Sequence, residues 1–250
     1  MEQNNMYSSS VGPLKPPGKF NTLKEMRAPL EWLFSYQNRR KLAHVPRGQG
    51  QLVVLVPGYG ADEWSMRPLK KFLTGIGYRV FDWGHGRNRG LVTHDTQRLA
   101  VTVENLYKKH DQQAVHLIGW SLGGVLSREV ARLHPHWVSQ IITLGTPLIG
   151  GPKYTVVANR YAKSMNMDLD AYEAEIHAIN EQGLSQPLTV IYSKSDGIVG
   201  WRAALDAYNP QARNLEVSCS HMGMGVSAEV WDIIAHTLAD SDVETNDAPG

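Results

Sequence analysis

The sequence predicts an α/β fold of about six mostly parallel strands with helices on both faces. Three observations predict it. Leu52-Val53-Val54-Leu55-Val56 is an unbroken aliphatic run with no polar side, which a strand shows when both faces of its sheet are covered. After it, short apolar runs alternate with stretches whose apolar residues recur at helical spacing. A helix between consecutive strands returns the chain to the same end of the sheet, which makes the strands parallel and the crossovers right-handed.

The elements follow in order. Residues 1–20 are rich in Ser, Asn, Pro and Gly and read as a flexible arm without the apolar core of a signal peptide. Thr22 to Tyr36 reads as a helix bent or restarted at Pro29. The first strand, 52–56, ends at Pro57-Gly58-Tyr59-Gly60. A helix from Ser65 to about Ile76 and a strand from Tyr78 to Trp83 lead to the Gly-rich loop 84–90. A long helix from Thr93 to Lys109, with Leu99, Val103, Leu106 and Tyr107 inward, feeds a third strand, Gln113 to Ile118. Next comes a helix with Leu122, Val125, Leu126, Val130 and Leu133 on one face and Arg128, Glu129 and Arg132 on the other. A strand at 137–144, an insertion at about 146–184, a strand at 188–192, a short helix near 201–207, a strand at 214–218 and a helix at 227–238 complete the pattern. Residues 21–239 therefore form one domain. In the tail, 240–250, Asp242, Glu244 and Asp247 have no basic neighbour, and solvated disorder is expected.

Bulk composition excludes several classes of function. Twenty-five basic and twenty-four acidic side chains leave a net charge of +1, which gives no electrostatic case for a nucleic-acid partner. Cys219 is the only cysteine, so neither an internal disulfide nor a Cys-based zinc cluster can form, and a reducing, cytoplasmic setting is expected. No His-Glu-x-x-His spacing occurs, and neither a metal nor a cofactor is expected. No apolar run approaches the length of a bilayer span.

The chemistry centres on Gly119-Trp120-Ser121-Leu122-Gly123-Gly124, where the third strand must turn into a helix within three or four residues. So tight a bend strains the corner residue and brings strand and helix backbones together, which explains flanking positions without a β-carbon. Such a corner lifts the Ser121 hydroxyl above the sheet beside the first amides of the helix, where negative charge is favoured.

A serine hydroxyl is a weak nucleophile until a base stands within hydrogen-bond reach, and that base needs an acid to fix its tautomer. Of ten histidines, His221 alone lies in the loop directly after the last strand, Cys219-Ser220-His221-Met222-Gly223-Met224-Gly225, whereas His236 falls in the final helix. His85, in the Gly-rich loop, is its rival, and His116 lies within a strand where a core role fits. Asp196, in Ser193-Lys194-Ser195-Asp196-Gly197 directly after the 188–192 strand, is the candidate acid. Asp168, Asp170 and Asp206 fall in helical segments and read as solvated. The backbone N–H groups of Tyr59, after the first strand, and of Leu122, after the serine, are the candidate oxyanion donors.

With Ser121, Asp196 and His221 in that chain order, residues 51–238 resemble the α/β-hydrolase family, specifically its smaller lipases and esterases. Val56-Pro57-Gly58-Tyr59-Gly60, Gly119-Trp120-Ser121-Leu122-Gly123 and Thr143-Leu144-Gly145-Thr146-Pro147 carry the resemblance. Pro57 and Leu148 stand where many lipases have histidine. The resemblance implies cleavage of a small-molecule ester with an apolar acyl group, through an acyl-enzyme, with the 146–184 insertion as a cap over the substrate and contact with lipid interfaces open. A thioesterase or acyltransferase using the same residues, or a ligand-binding protein on this fold without turnover, is the alternative.

Overall fold

The computed structural model describes residues 11–28, 30–31 and 42–246. Among them a single sheet holds β1 (Leu52–Val56), β2 (Arg79–Asp82), β3 (Val115–Trp120), β4 (Val138–Leu144), β5 (Leu188–Tyr192) and β6 (Arg213–Glu216). The order across the sheet is β2-β1-β3-β4-β5-β6, and every neighbouring pair is parallel. The chain moves from β1 to β2 on one side, then crosses back to β3 on the other. The strand order thus reverses at β1 and β3, where Val56 pairs with Gly119 and the two carboxyl-end loops open side by side.

Among the described residues the helices include α1 (Lys19–Lys24), α2 (Arg67–Gly75), α3 (Val92–Lys109), α4 (Leu122–Leu133), α5 (Ala158–Met165), α6 (Leu169–Asn180) and α7 (Ala228–Asn246). Alternation along each strand divides the core in two. Val53, Leu55, Ile118, Ile142 and Ile191 pack with Leu69 and Leu73 of α2 and with Val230, Trp231 and Ile234 of α7. Val54, Leu117, Ile141 and Val190 face the other way, onto Leu99 and Val103 of α3 and Leu126 and Val130 of α4. Each of these side chains contributes about 1.5–3 kcal/mol by leaving water, which explains the unbroken aliphatic run of β1, covered on both faces.

Several expectations need correction. Residues 201–205 form turns, not a helix. Asp206, between β5 and β6, is buried and bound to Arg128, which is itself buried and also donates to Asn180 of α6. Leu133, expected inward, is 62% exposed at the end of that helix. Asp168 is exposed, as expected, and in addition caps α6, accepting the N–H groups of Asp170 at 2.9 Å and Ala171 at 2.8 Å. The last helix runs to Asn246 rather than stopping at Leu238, since neither Gly nor Pro interrupts the chain before Pro249. Residues 1–10 and most of the Pro29 helix lie outside the described residues. Residues 11–28 lie against the loops after β5: Arg202 Nε donates to Val11 O at 3.0 Å and Asn21 Nδ2 to Lys194 O at 2.9 Å.

Between β4 and β5, a 3-10 turn at Gly151–Tyr154 and helices α5 and α6 stand over the carboxyl ends of the strands. Lys153 pairs with Asp170 and Glu173, and Tyr154 donates its hydroxyl to Glu173 at 2.7 Å, which ties the turn to α6. No helix among the described residues is long and apolar enough to cross a membrane.

Candidate active site

Ser121 occupies the one-residue corner between β3 and α4, with φ 53° and ψ −121°. A side chain held there costs about 1–3 kcal/mol of backbone strain, which the surrounding packing must offset. The restraint is visible: Ser121 N–H donates to Leu144 O at 2.8 Å, and Gly124 N–H donates to Ser121 O at 3.0 Å. Gly123 allows the corner to close, because a β-carbon there would collide with the carbonyl oxygen of Val56.

The loops after β5 and β6 meet beside that corner. His221 Nδ1 lies 2.7 Å from Asp196 Oδ2, and both side chains are buried. Asp196 Oδ1 accepts the N–H groups of Ile198 at 2.8 Å and Val199 at 2.7 Å, so the carboxylate is fixed by its own loop before it receives the ring. The bond to Nδ1 fixes the tautomer with the proton on that nitrogen and leaves Nε2 as the acceptor of a neutral ring. Burial opposes a charged imidazole, but the charge and hydrogen bond of Asp196, with the charge of Glu25, outweigh it and hold His221 above its ordinary value of 6.5.

Gly145 links Ser121 to this pair. It follows Leu144, the residue whose carbonyl holds the Ser121 amide. With φ 53°, its backbone lies so close to the ring that a β-carbon would stand 2.9 Å from His221 Nδ1 and 3.0 Å from Asp196 Oδ2. Neither Gly145 nor Glu25 was identified as a site residue from sequence. A glycine after a strand and a glutamate in a helix are among the most ordinary residues, and only their neighbours in space set these apart.

Tyr59 and Leu122 line the same cavity as Ser121, an apolar space of about 60 Å³ closed by residues of α4, α5 and α6. Among the described residues, the N–H groups of Tyr59 and Leu122 have no protein acceptor. The Tyr59 ring stands edge-on to Tyr161 at 5.3 Å, and Tyr161 donates its hydroxyl to Gly90 O at 2.6 Å.

The other candidates have occupations of their own. His85 Nε2 lies 2.9 Å from Arg98 O and 3.0 Å from Thr102 Oγ1, which pins its loop to α3. His116 Nδ1 meets Ser139 Oγ and Gln140 Nε2 inside the sheet. Burial pushes the Cys219 thiol up to about 12, out of reach as a thiolate at neutral pH. Among the described residues, no three His, Cys, Asp or Glu side chains are grouped to hold a metal ion.

A model described as the alpha/beta hydrolase family matches residues 53–247. The chain belongs to that family. Within it, similar sequences include a protein named pimeloyl-[acyl-carrier protein] methyl ester esterase from Pseudoalteromonas atlantica, 32% identical over 104 residues, or 40% of this chain and 38% of that one. Its namesake from Sodalis glossinidius is 32% identical over 100 residues, 38% of this chain and 36% of that one. The chain therefore matches little more than a third of the length of these curated relatives. Among solved structures of this fold, a Bacillus licheniformis lipase superposes with a TM-score of 0.59 at 15% identity, covering 78% of this chain and 94% of that one. A Pyrococcus furiosus esterase gives 0.58 at 18% identity, covering 77% and 84%.

Proposed function

We propose that this α/β hydrolase is a serine esterase that cleaves a small carboxylic ester with an apolar acyl group. The observation that carries the proposal is the buried 2.7 Å bond between His221 Nδ1 and Asp196 Oδ2, set beside a serine held at φ 53°. Ser121 gives its proton to His221 Nε2 as its oxygen attacks the ester carbonyl carbon. The resulting oxyanion is received by the N–H groups of Tyr59 and Leu122. Collapse breaks the bond to the alkoxide, which takes the proton back from His221 and leaves an acyl group on Ser121. Water, deprotonated by the same imidazole, attacks the acyl-enzyme and releases the acid, restoring the serine hydroxyl. Throughout, Asp196 keeps the ring oriented and stabilises its charged form.

The apolar cavity beside Ser121 supports an acyl group rather than a charged one, and the name of the sequence relatives supports an oxygen ester over a thioester. A chain-length series of chromogenic esters, run on the wild type and on Ser121→Ala, tests the reading. Turnover should fall by at least about 10⁴-fold in the variant. Undiminished turnover there, or fluorophosphonate labelling of a different serine in the wild type, overturns it.

A further inference from the structure

Two carboxylates that precede the sheet reach into the loops carrying Asp196 and His221. Glu25 Oε1 accepts the N–H of Gly197 at 2.7 Å and of His221 at 2.9 Å, while Oε2 accepts the N–H of Met222 at 2.9 Å. Glu31 accepts the N–H of Ser220 at 3.2 Å and its hydroxyl at 2.7 Å. Gly197 directly follows Asp196. One carboxylate therefore joins the loop after β5 to the loop after β6, on the backbone behind the Asp196–His221 bond.

The fit around this junction is close. Thr22 Oγ1 donates to Gly197 O at 3.0 Å, and a β-carbon on Gly197 would collide with the Asn21 carbonyl. Hydrogen bonds to an ionised acceptor are roughly twice as strong as neutral ones, and an ionised carboxylate can accept at both oxygens. Glutamine could not replace it: with one oxygen and one NH₂, it would turn a donor toward a backbone N–H.

We infer that Glu25 is a positioning residue, which locks the acid loop to the histidine loop and so makes the N-terminal segment that carries it part of the working active site. The inference rests on the proposed roles of Ser121, His221 and Asp196. Glu25 and Glu31 lie outside the 53–247 stretch matched by the family model, so the dependence belongs to this chain's own N-terminal segment. Glu25 also acts on the ring electrostatically. Among the described residues, the charged groups that act on His221 are Asp196, from the β5 loop, and Glu25, from the N-terminal segment, with Glu31 on the neighbouring Ser220; Trp120 of β3 lies against the ring at 6.1 Å and Gly145, after β4, bears no charge.

The test is fluorophosphonate labelling of the wild type, Glu25→Gln and Glu25→Asp across the histidine titration range, with the labelled serine identified by mass spectrometry and KM and kcat measured on one chromogenic ester. Glu25→Gln should label Ser121 about 10- to 100-fold more slowly, as expected when a catalytic group is displaced by a fraction of an ångström to one ångström. Its acid limb should move to lower pH, because a negative charge that favours the imidazolium is gone, and the loss should fall on kcat rather than KM. Glu25→Asp keeps the charge on a shorter arm, so its acid limb should stay in place and its rate should lie between the other two. A merely structural glutamate would lower the melting temperature and leave the acid limb unmoved. Wild-type labelling at Ser121 with Glu25→Gln matching it in rate and pH profile overturns the inference and leaves the triad standing. A wild type labelled elsewhere overturns the triad itself. If Glu25→Gln does not fold, Glu25→Asp decides, and labelling at the wild-type rate overturns the inference.

Discussion

Gly145 backs directly onto His221: the ring nitrogen that bonds Asp196 lies 2.9 Å from where a β-carbon of residue 145 would be. That position also has φ 53°, a region L-residues rarely adopt. Gly145→Ala should therefore push the ring and the Asp196 carboxylate apart as well as strain the backbone. Stability should fall by more than about 1 kcal/mol, and kcat/KM should fall by about 10²-fold. Denaturant melts beside steady-state kinetics would check this. A variant with wild-type kcat/KM would show that the pair tolerates displacement.

The pH dependence has two parts of opposite sign. The proposed mechanism requires a neutral His221 to accept the Ser121 proton, and the pKa of His221 lies above the ordinary 6.5 because Asp196 and Glu25 outweigh burial. On the proposed mechanism, kcat/KM should rise with pH through that elevated value. For stability, a folded pKa above the unfolded one means the contribution is fully present below the unfolded value of about 6.5 and lost as pH rises through the folded value. The melting-temperature difference between wild type and His221→Gln should accordingly shrink as pH rises through that window. A difference that grows with pH would contradict the assignment.

Arg128 Nη1 lies 2.5 Å from Asp206 Oδ2, and Nη2 donates to Asn180 Oδ1 at 3.0 Å, with both ionised side chains almost wholly out of water. Removing one partner leaves the other charge stranded. Arg128→Met should cost about 3–5 kcal/mol of unfolding free energy, read as a lower denaturant midpoint. The double variant Arg128→Met/Asp206→Leu should recover part of that loss. A single variant as stable as the wild type would mean the pair is not as buried as it stands here.

The 60 Å³ space beside Ser121 is divided from a neighbouring apolar groove of about 590 Å³ by Val125, Glu129, Tyr161, Tyr172 and Ile176, which line both. Wild type should favour short acyl chains. Tyr161→Ala removes a ring from the partition and its bond to Gly90 O, and should raise the long-to-short ratio of kcat/KM by about 10-fold or more. The same ester series reads it out, and an unchanged ratio would mean the acyl chain leaves Ser121 by another route.

The sequence by itself determined the strands, their parallel order of succession and the corner at Ser121. Each of these is a local pattern: an unbroken aliphatic run, a helical period, a glycine where backbones touch. It also singled out His221 and Asp196, because in a parallel sheet the loops after successive strands open at the same end. Only the tertiary structure decided that Asp196 meets His221 at 2.7 Å, that Asp206 and Arg128 are buried partners, and that Glu25 reaches across 196 positions to the His221 amide. An exposed glutamate and one that receives three backbone amides have the same letter and the same helical neighbours. What separates them is which loops fold back against them, and that is settled by packing between segments far apart in the chain.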